Sequence, residues 1–146
     1  MKFNQEYFVN VFADARELTK SHHSEVEIFK GEKLEIDVNK YLNCEEHGAL
    51  KVFTARVEGK LVGYSTFFLY THSHHLNTVH ASQDTLYIHP DHRGVGLEFC
   101  QYCDEQLKLA GVKHVHRSMP VGSLFIEKLA SNGYEIKEIN LIRSLS

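Results

Sequence analysis

Apolar positions along this chain change their spacing from helical to strand-like and back again. Phe8, Val11, Phe12, Ala15 and Leu18 recur every three or four residues and share one face, which predicts a helix over residues 5–20. Asp37 stands where a helix N-cap belongs, and Gly48 marks the end of a second, shorter helix. Residues 50–57 and 60–70 are rich in Val, Tyr, Thr and Phe, and the Glu58-Gly59 pair between them reads as a hairpin turn. The polar segment 71–78 holds three histidines and reads as a loop before a strand over 80–88. Leu97, Cys100, Cys103, Leu107 and Ala110 then repeat at helical spacing up to Gly111, a residue suited to the C′ position. Residues 112–117 predict a strand, 122–131 a short helix and 134–145 a final strand. Only Lys2-Phe3 precedes the first helix, so a leading strand is very short or absent. The pattern as a whole is α+β, a mixed and mostly antiparallel sheet flanked by helices.

Composition narrows the class. The chain has 146 residues with 42% hydrophobic content, which suits one domain over residues 1–146 with one active site. Formal net charge is −3 with the two signs interleaved, so nothing points to nucleic acid. No apolar run approaches a membrane span and the first residues lack a signal-peptide core, so a cytoplasmic protein without a membrane partner is expected. Cys44, Cys100 and Cys103 make an odd count that argues against a disulfide framework. Cys100-Gln-Tyr-Cys103 has the spacing of a redox or zinc half-site, yet both thiols fall on the apolar helix face and no second cysteine pair exists. Core packing is the reading. The eleven histidines, with His72, His74, His75 and His80 as the densest group, lack accompanying carboxylate or cysteine ligands. No metal site is expected.

The most informative stretch runs from Thr85 to Leu97. An apolar run ends at His89-Pro90 and passes through Arg93-Gly94-Val95-Gly96 into an amphipathic helix. Gly94 and Gly96 remove Cβ atoms that would hold a ligand off the backbone, and the first N–H groups of the helix point at whatever sits there. A phosphate suits that place.

On Ile88, Pro90, Arg93, Gly94 and Gly96 the chain resembles the GNAT superfamily, the Gcn5-related N-acetyltransferases, whose signature is Val/Ile-x-Pro, then Arg-Gly-x-Gly-x-Gly/Ala, then a helix. Counted without gaps, the final Gly/Ala of that signature falls on Glu98. A loop two residues shorter instead puts Gly96 there and sets Phe99, Cys100, Cys103 and Leu107 on the apolar helix positions. This second register is preferred, and with Asp84-x-x-Tyr87-Ile88-x-Pro90 it resembles a GNAT group common in phage genomes. The resemblance implies acetyl-CoA as cosubstrate and an amine acceptor, small molecule or protein, and is compatible with a homodimer. It implies backbone contacts from Leu86 and Ile88 to the acetyl carbonyl and pantetheine, and pyrophosphate binding by N–H groups of Arg93, Gly94, Val95, Gly96 and Leu97.

Amine acetylation needs a proton acceptor near the thioester, donors for the oxyanion and a proton for the departing thiolate. Asp84 is the candidate base, four residues before Ile88 and, by period-two alternation, on the face of Leu86 and Ile88. A carboxylate is a weak base at neutral pH unless burial raises its proton affinity, so Asp84 alternatively holds the ammonium, relays its proton through water, or merely caps a strand edge. The family's usual general acid is a tyrosine on the helix before Gly133-Tyr134, but Ile126 or Leu129 stands there. His116 or Ser118 would be the substitute, and Tyr134 is expected in the core. The region of His22, His23 and Glu25, with the His72–His75 group, is expected to border the acceptor. A catalytically silent GNAT-fold protein that binds acyl-CoA or a protein partner is the alternative.

Overall fold

The computed structural model describes residues 1–26 and 31–145. Among them a sheet runs in the order β1 (Lys2–Gln5), β2 (Leu50–Val57), β3 (Lys60–His72), β4 (His75–Ile88) and β5 (His114–His116). Its pairings are antiparallel except for β4 with β5, so the α+β class with a mixed, mostly antiparallel sheet holds. Alternation along β2 sends Leu50 and Val52 to one face and Phe53 and Ala55 to the other. On the first face they meet Phe8 and Val11 of α1 (Phe8–Phe12), Leu18 of α2 (Arg16–Val26), and Tyr41 and Cys44 of α3 (Val38–Glu46). On the second they meet Phe99, Cys103 and Leu107 of α4 (Gly96–Leu109). Both faces are covered, which is why residues 52–55 of β2 and 61–67 of β3 are buried without a break. Full burial of Phe53, Phe67 and Phe99 contributes about 2–3 kcal/mol each.

Local chemistry sets the boundaries. Asp37 caps α3 by accepting from the Lys40 N–H at 3.0 Å. Glu58 and Gly59 both take positive φ, 49° and 80°, the conformation a two-residue hairpin with right-twisted strands requires. A Cβ at Gly63 would lie 3.0 Å from the Tyr87 carbonyl and 3.1 Å from the Ile88 side chain, so the close approach of β3 to β4 needs glycine there. Gly111, at φ 91°, ends α4.

Three expectations change, and one left open is decided. The first helix is interrupted at residues 13–15, where Asp14 turns to Arg56 (3.0 Å), and resumes as α2 through Val26. The loop over 71–78 is almost absent, because β3 and β4 continue as a polar hairpin beyond the core, pairing Thr71 with Val79 and His72 with His75. Polarity suggested a loop, but a hairpin tip exposed on both faces tolerates polar residues. A first strand does form, pairing Lys2–Gln5 with Arg56–Phe53. No strand forms over 134–145. Ile136, Ile139, Leu141 and Ile142 lose the two-residue alternation after Ile136, and the three-residue β5 is a short template.

Candidate active site

The site begins where two strands part. β4 pairs with β5 only through His80–His114, Ala81–Val115 and Ser82–His116, so beyond Ser82 that edge of β4 has no strand partner among the described residues. The His89 N–H donates to the Val62 carbonyl on β3 (2.8 Å), and the Thr85 carbonyl accepts from Ser65 Oγ on the same side (2.8 Å). Alternation therefore turns the main-chain groups of Leu86 and Ile88 toward the open edge. The Ile88 carbonyl already accepts from Arg93 Nε at 3.0 Å.

Past Ile88 the chain closes into a 3₁₀ turn, Pro90–Val95, with proline at its first position and His89 Nδ1 accepting from the Asp91 N–H at 3.3 Å. Arg93 ties this turn down. Its guanidinium also donates to Glu25 of α2 at 2.6 Å and lies 5.6 Å from the centre of the Tyr87 ring. The side chain is thus engaged within the protein. Gly94 has nothing within 4 Å of where a Cβ would stand, whereas Gly96 has Phe125 at 3.4 Å. Neither takes positive φ, so space beside Gly94, not backbone conformation, is what glycine provides. α4 opens at Val95 without a side-chain cap, Gly96 gives its N–H to the Arg93 carbonyl, and Leu97 is half-buried. An uncapped N-terminus of a four-turn helix, beside open space, favours an anion.

Asp84 lies at a β-bulge. Thr66 pairs with Thr85 and Phe67 with Gln83, which leaves Asp84 as the extra residue of β4. The bulge overturns the alternation argument for its face. Asp84 turns away from the Leu86 side toward α3, where one carboxylate oxygen, Oδ2, accepts from the Tyr41 hydroxyl and from Thr66 Oγ1 (2.8 Å). Burial, and then the Asp84 carboxylate, push the Tyr41 hydroxyl well above its ordinary range, so Tyr41 remains a protonated donor. Tyr41 and Thr66 also line a cavity of about 240 Å³ between the sheet and the first helices, with Phe12, Leu34, Ile36 and Tyr64.

Of the residues expected to border the acceptor, His22 and His23 line this cavity, and the His72–His75 group does not. His22 stacks on Tyr87 at 4.9 Å, and its Nδ1 shares a 2.8 Å hydrogen bond with the Tyr64 hydroxyl. Burial lowers its proton affinity below the usual imidazole range, against the opposing charges of Glu25 and Asp84. Glu25 accepts from the Tyr87 hydroxyl at 3.0 Å as well as from Arg93. The end of α2 therefore joins the cavity to the glycine turn.

The opposite side of the opening is held by a residue the sequence did not single out as functional. Arg117, its side chain 2% exposed, donates to Gln83 on β4 (2.8 Å), Asp104 on α4 (2.6 Å) and the Tyr134 hydroxyl (2.7 Å). A lone arginine at the end of a short strand carries no sequence signal for this. Tyr134 itself donates to Asp104 at 2.5 Å and is engaged there. On α5 (Phe125–Ala130), Leu129 is buried and Ile126 half-buried, and His116 is joined to His80 (2.7 Å). Burial pushes the Cys100 and Cys103 thiols up, so both are neutral core groups. Among the described residues no three His, Cys, Asp or Glu side chains are placed to hold a metal ion, and no helix is long and apolar enough to cross a membrane.

The profile of the acetyltransferase (GNAT) family matches residues 13–117. No curated protein sequence matches the chain. Among solved structures, an aminoglycoside acetyltransferase from an uncultured soil metagenomic sample, in complex with sisomicin, is 14% identical at a TM-score of 0.74, covering 99% of this chain and 96% of its own. A ribosomal-protein-alanine N-acetyltransferase from Brucella melitensis biovar Abortus 2308 is 16% identical at 0.70, covering 99% and 100%. An aminoglycoside N-acetyltransferase in complex with CoA is 12% identical at 0.68, covering 99% and 100%. At these identities the likeness is one of fold.

Proposed function

Because the chain belongs to the acetyltransferase (GNAT) family, we propose that it moves the acetyl group of acetyl-CoA directly to an amine on a small molecule or protein. The observation that carries this reading is the parting of β4 from β5 after Ser82, beside the uncapped start of α4. Bound acetyl-CoA supplies an activated thioester. The residues suited to hold it are Leu86 and Ile88 through the open edge of β4, and Arg93, Gly94, Val95, Gly96 and Leu97 through the turn and the first N–H groups of α4. Asp84 holds the incoming ammonium and accepts its proton, directly or through water, while Tyr41 and Thr66 fix the carboxylate from behind. A tyrosine acid is dispensable here, since a thiol's pKa near 8.5 makes the thiolate a tolerable leaving group. The same reading makes residues 1–146 a single cytoplasmic domain, compatible with a homodimer and related to phage-encoded members with a shortened Arg-Gly loop.

One observation favours a second reading, a silent protein that binds acyl-CoA or a protein partner. The α5 positions where the family usually has its acid carry Ile126 and Leu129, the latter only 4% exposed. Calorimetry with acetyl-CoA, followed by thiol release against an amine panel, separates the two. Transfer predicts both signals, silence the first alone. Gly94→Val checks the placement of the cofactor: with open space at that Cβ the variant should fold, yet bind acetyl-CoA at least about 10-fold more weakly. Undiminished affinity would place the pyrophosphate elsewhere.

A further inference from the structure

The cavity beside Asp84 restricts which amine can occupy it. Its wall includes Phe12, Leu34, Ile36 and Val52, and among the described residues its polar members are hydroxyls and imidazoles, with no Asp, Glu, Lys or Arg. Asp84 is not part of the wall but is hydrogen-bonded to two residues that are, Tyr41 and Thr66. Both of those donors go to Oδ2, so Oδ1 takes no hydrogen bond among the described residues and is available to an ammonium. Among the described residues, Glu45 is committed to the Phe8 N–H (2.8 Å), Glu25 to Arg93 and Tyr87, and Asp37 to the Lys40 N–H (3.0 Å). One ammonium can be neutralised. A second would be buried against apolar walls without a partner, which is costly.

From this charge and lining we propose that the acceptor is a monoamine with a compact aromatic or branched-alkyl body, not a polyamine or an amino sugar. The inference rests on reading the site as an amine acetyltransferase's. Volume agrees with it. An apolar cavity of roughly 150 Å³ takes a benzene ring, and 240 Å³ leaves room for such a ring on a short carbon arm. One ring fills it, so the further rings of a linked sugar would lie outside its apolar walls. The ring packs against Phe12, Leu34 and Ile36, and the ammonium meets Asp84. In the transfer, the ammonium gives one proton to Asp84 or solvent, forms the N–C bond to the acetyl carbonyl carbon and then gives up a second proton, which leaves a neutral amide. The C–S bond breaks, and the sulfur leaves with the electron pair and takes up a proton.

Two measurements test this on the full chain. In the first, phenethylamine, ethylamine, spermidine and kanamycin are titrated into the protein by calorimetry without acetyl-CoA. Phenethylamine should bind at least about 30-fold more tightly than ethylamine, which lacks the buried ring, and than spermidine, whose further ammonium groups would be buried unpaired. In the second, thiol release from acetyl-CoA is followed with the same amines, and kcat/KM should keep that order. Ile36, half-exposed at the cavity rim, can be changed without opening the core. Ile36→Asp adds a second carboxylate and should weaken phenethylamine while strengthening spermidine. Spermidine or kanamycin binding more tightly than phenethylamine to the parent, or a flat phenethylamine titration, overturns the proposal. Phenethylamine binding without thiol release instead sinks the transferase reading and leaves the apolar monoamine site standing.

Discussion

Asp84 owes its position to one extra residue in β4. Counting by twos from Ile88 sets it on the face of Leu86, toward α4, but the bulge opposite Thr66 and Phe67 reverses that and aims it at Tyr41 of α3. The reversal puts the carboxylate beside the apolar cavity and leaves the edge of Leu86 and Ile88 for the cosubstrate. Asp84→Asn keeps size and removes charge and basicity. Turnover should fall about 10²-fold or more with acetyl-CoA affinity nearly unchanged, the mark of a group that serves the amine. Equal losses in both would make Asp84 a structural residue, and full activity at every pH would pass the proton to solvent. Arg93 teaches the complementary lesson: its motif position was legible, but its side chain fastens the turn to Glu25 and Ile88.

At the scale of elements, the β4–β5 junction is clamped at one end by Arg117 and crowded at the other by imidazoles. Arg117→Met removes the charge partner of Asp104 and the bridge to Gln83, and should cost about 3 kcal/mol in denaturant unfolding. A loss below 1 kcal/mol would mean that water replaces the guanidinium without penalty. At the other end His80, 7% exposed, has His114, His116 and His72 ring centres 5.0, 5.1 and 5.7 Å away, and its Nε2 has no partner among the described residues. Burial, and then His116, His114, His72 and His75, hold its proton affinity below the ordinary imidazole value. The unfolded chain therefore takes up protons near pH 6.5 that the folded protein refuses. Stability should be flat above that pH and fall as the pH drops through it. Melting curves of His80→Leu between pH 7.5 and 5 should show a shallower decline than the parent. An equal slope would clear His80 as its source.

For the whole molecule, the sheet with its two apolar faces is complete before the last dozen residues. Ile136, Ile139, Leu141 and Leu145 are exposed, and the segment pairs with no strand. A chain ending at Glu135 keeps Tyr134 for Arg117 and should lose less than about 1 kcal/mol. A larger loss on calorimetric unfolding would show that the segment is seated against the sheet after all.

Short-range rules were enough for much of this. The Asp37 cap, the Glu58-Gly59 turn, the α4 face of Phe99, Cys100, Cys103 and Leu107, and the glycine turn after Ile88 all arise from interactions within a few residues, which spacing records. Three features depend on residues distant in sequence. A bulge is defined by its partner strand, so the face of Asp84 could not be counted from β4 alone. The parting of β4 from β5 exists only once both are laid in one sheet, and Arg117 gains its role from Gln83, Asp104 and Tyr134 on separate segments. The acceptor cavity likewise needs α1, α2, α3 and the sheet together, since no local pattern encodes the space left between packed elements.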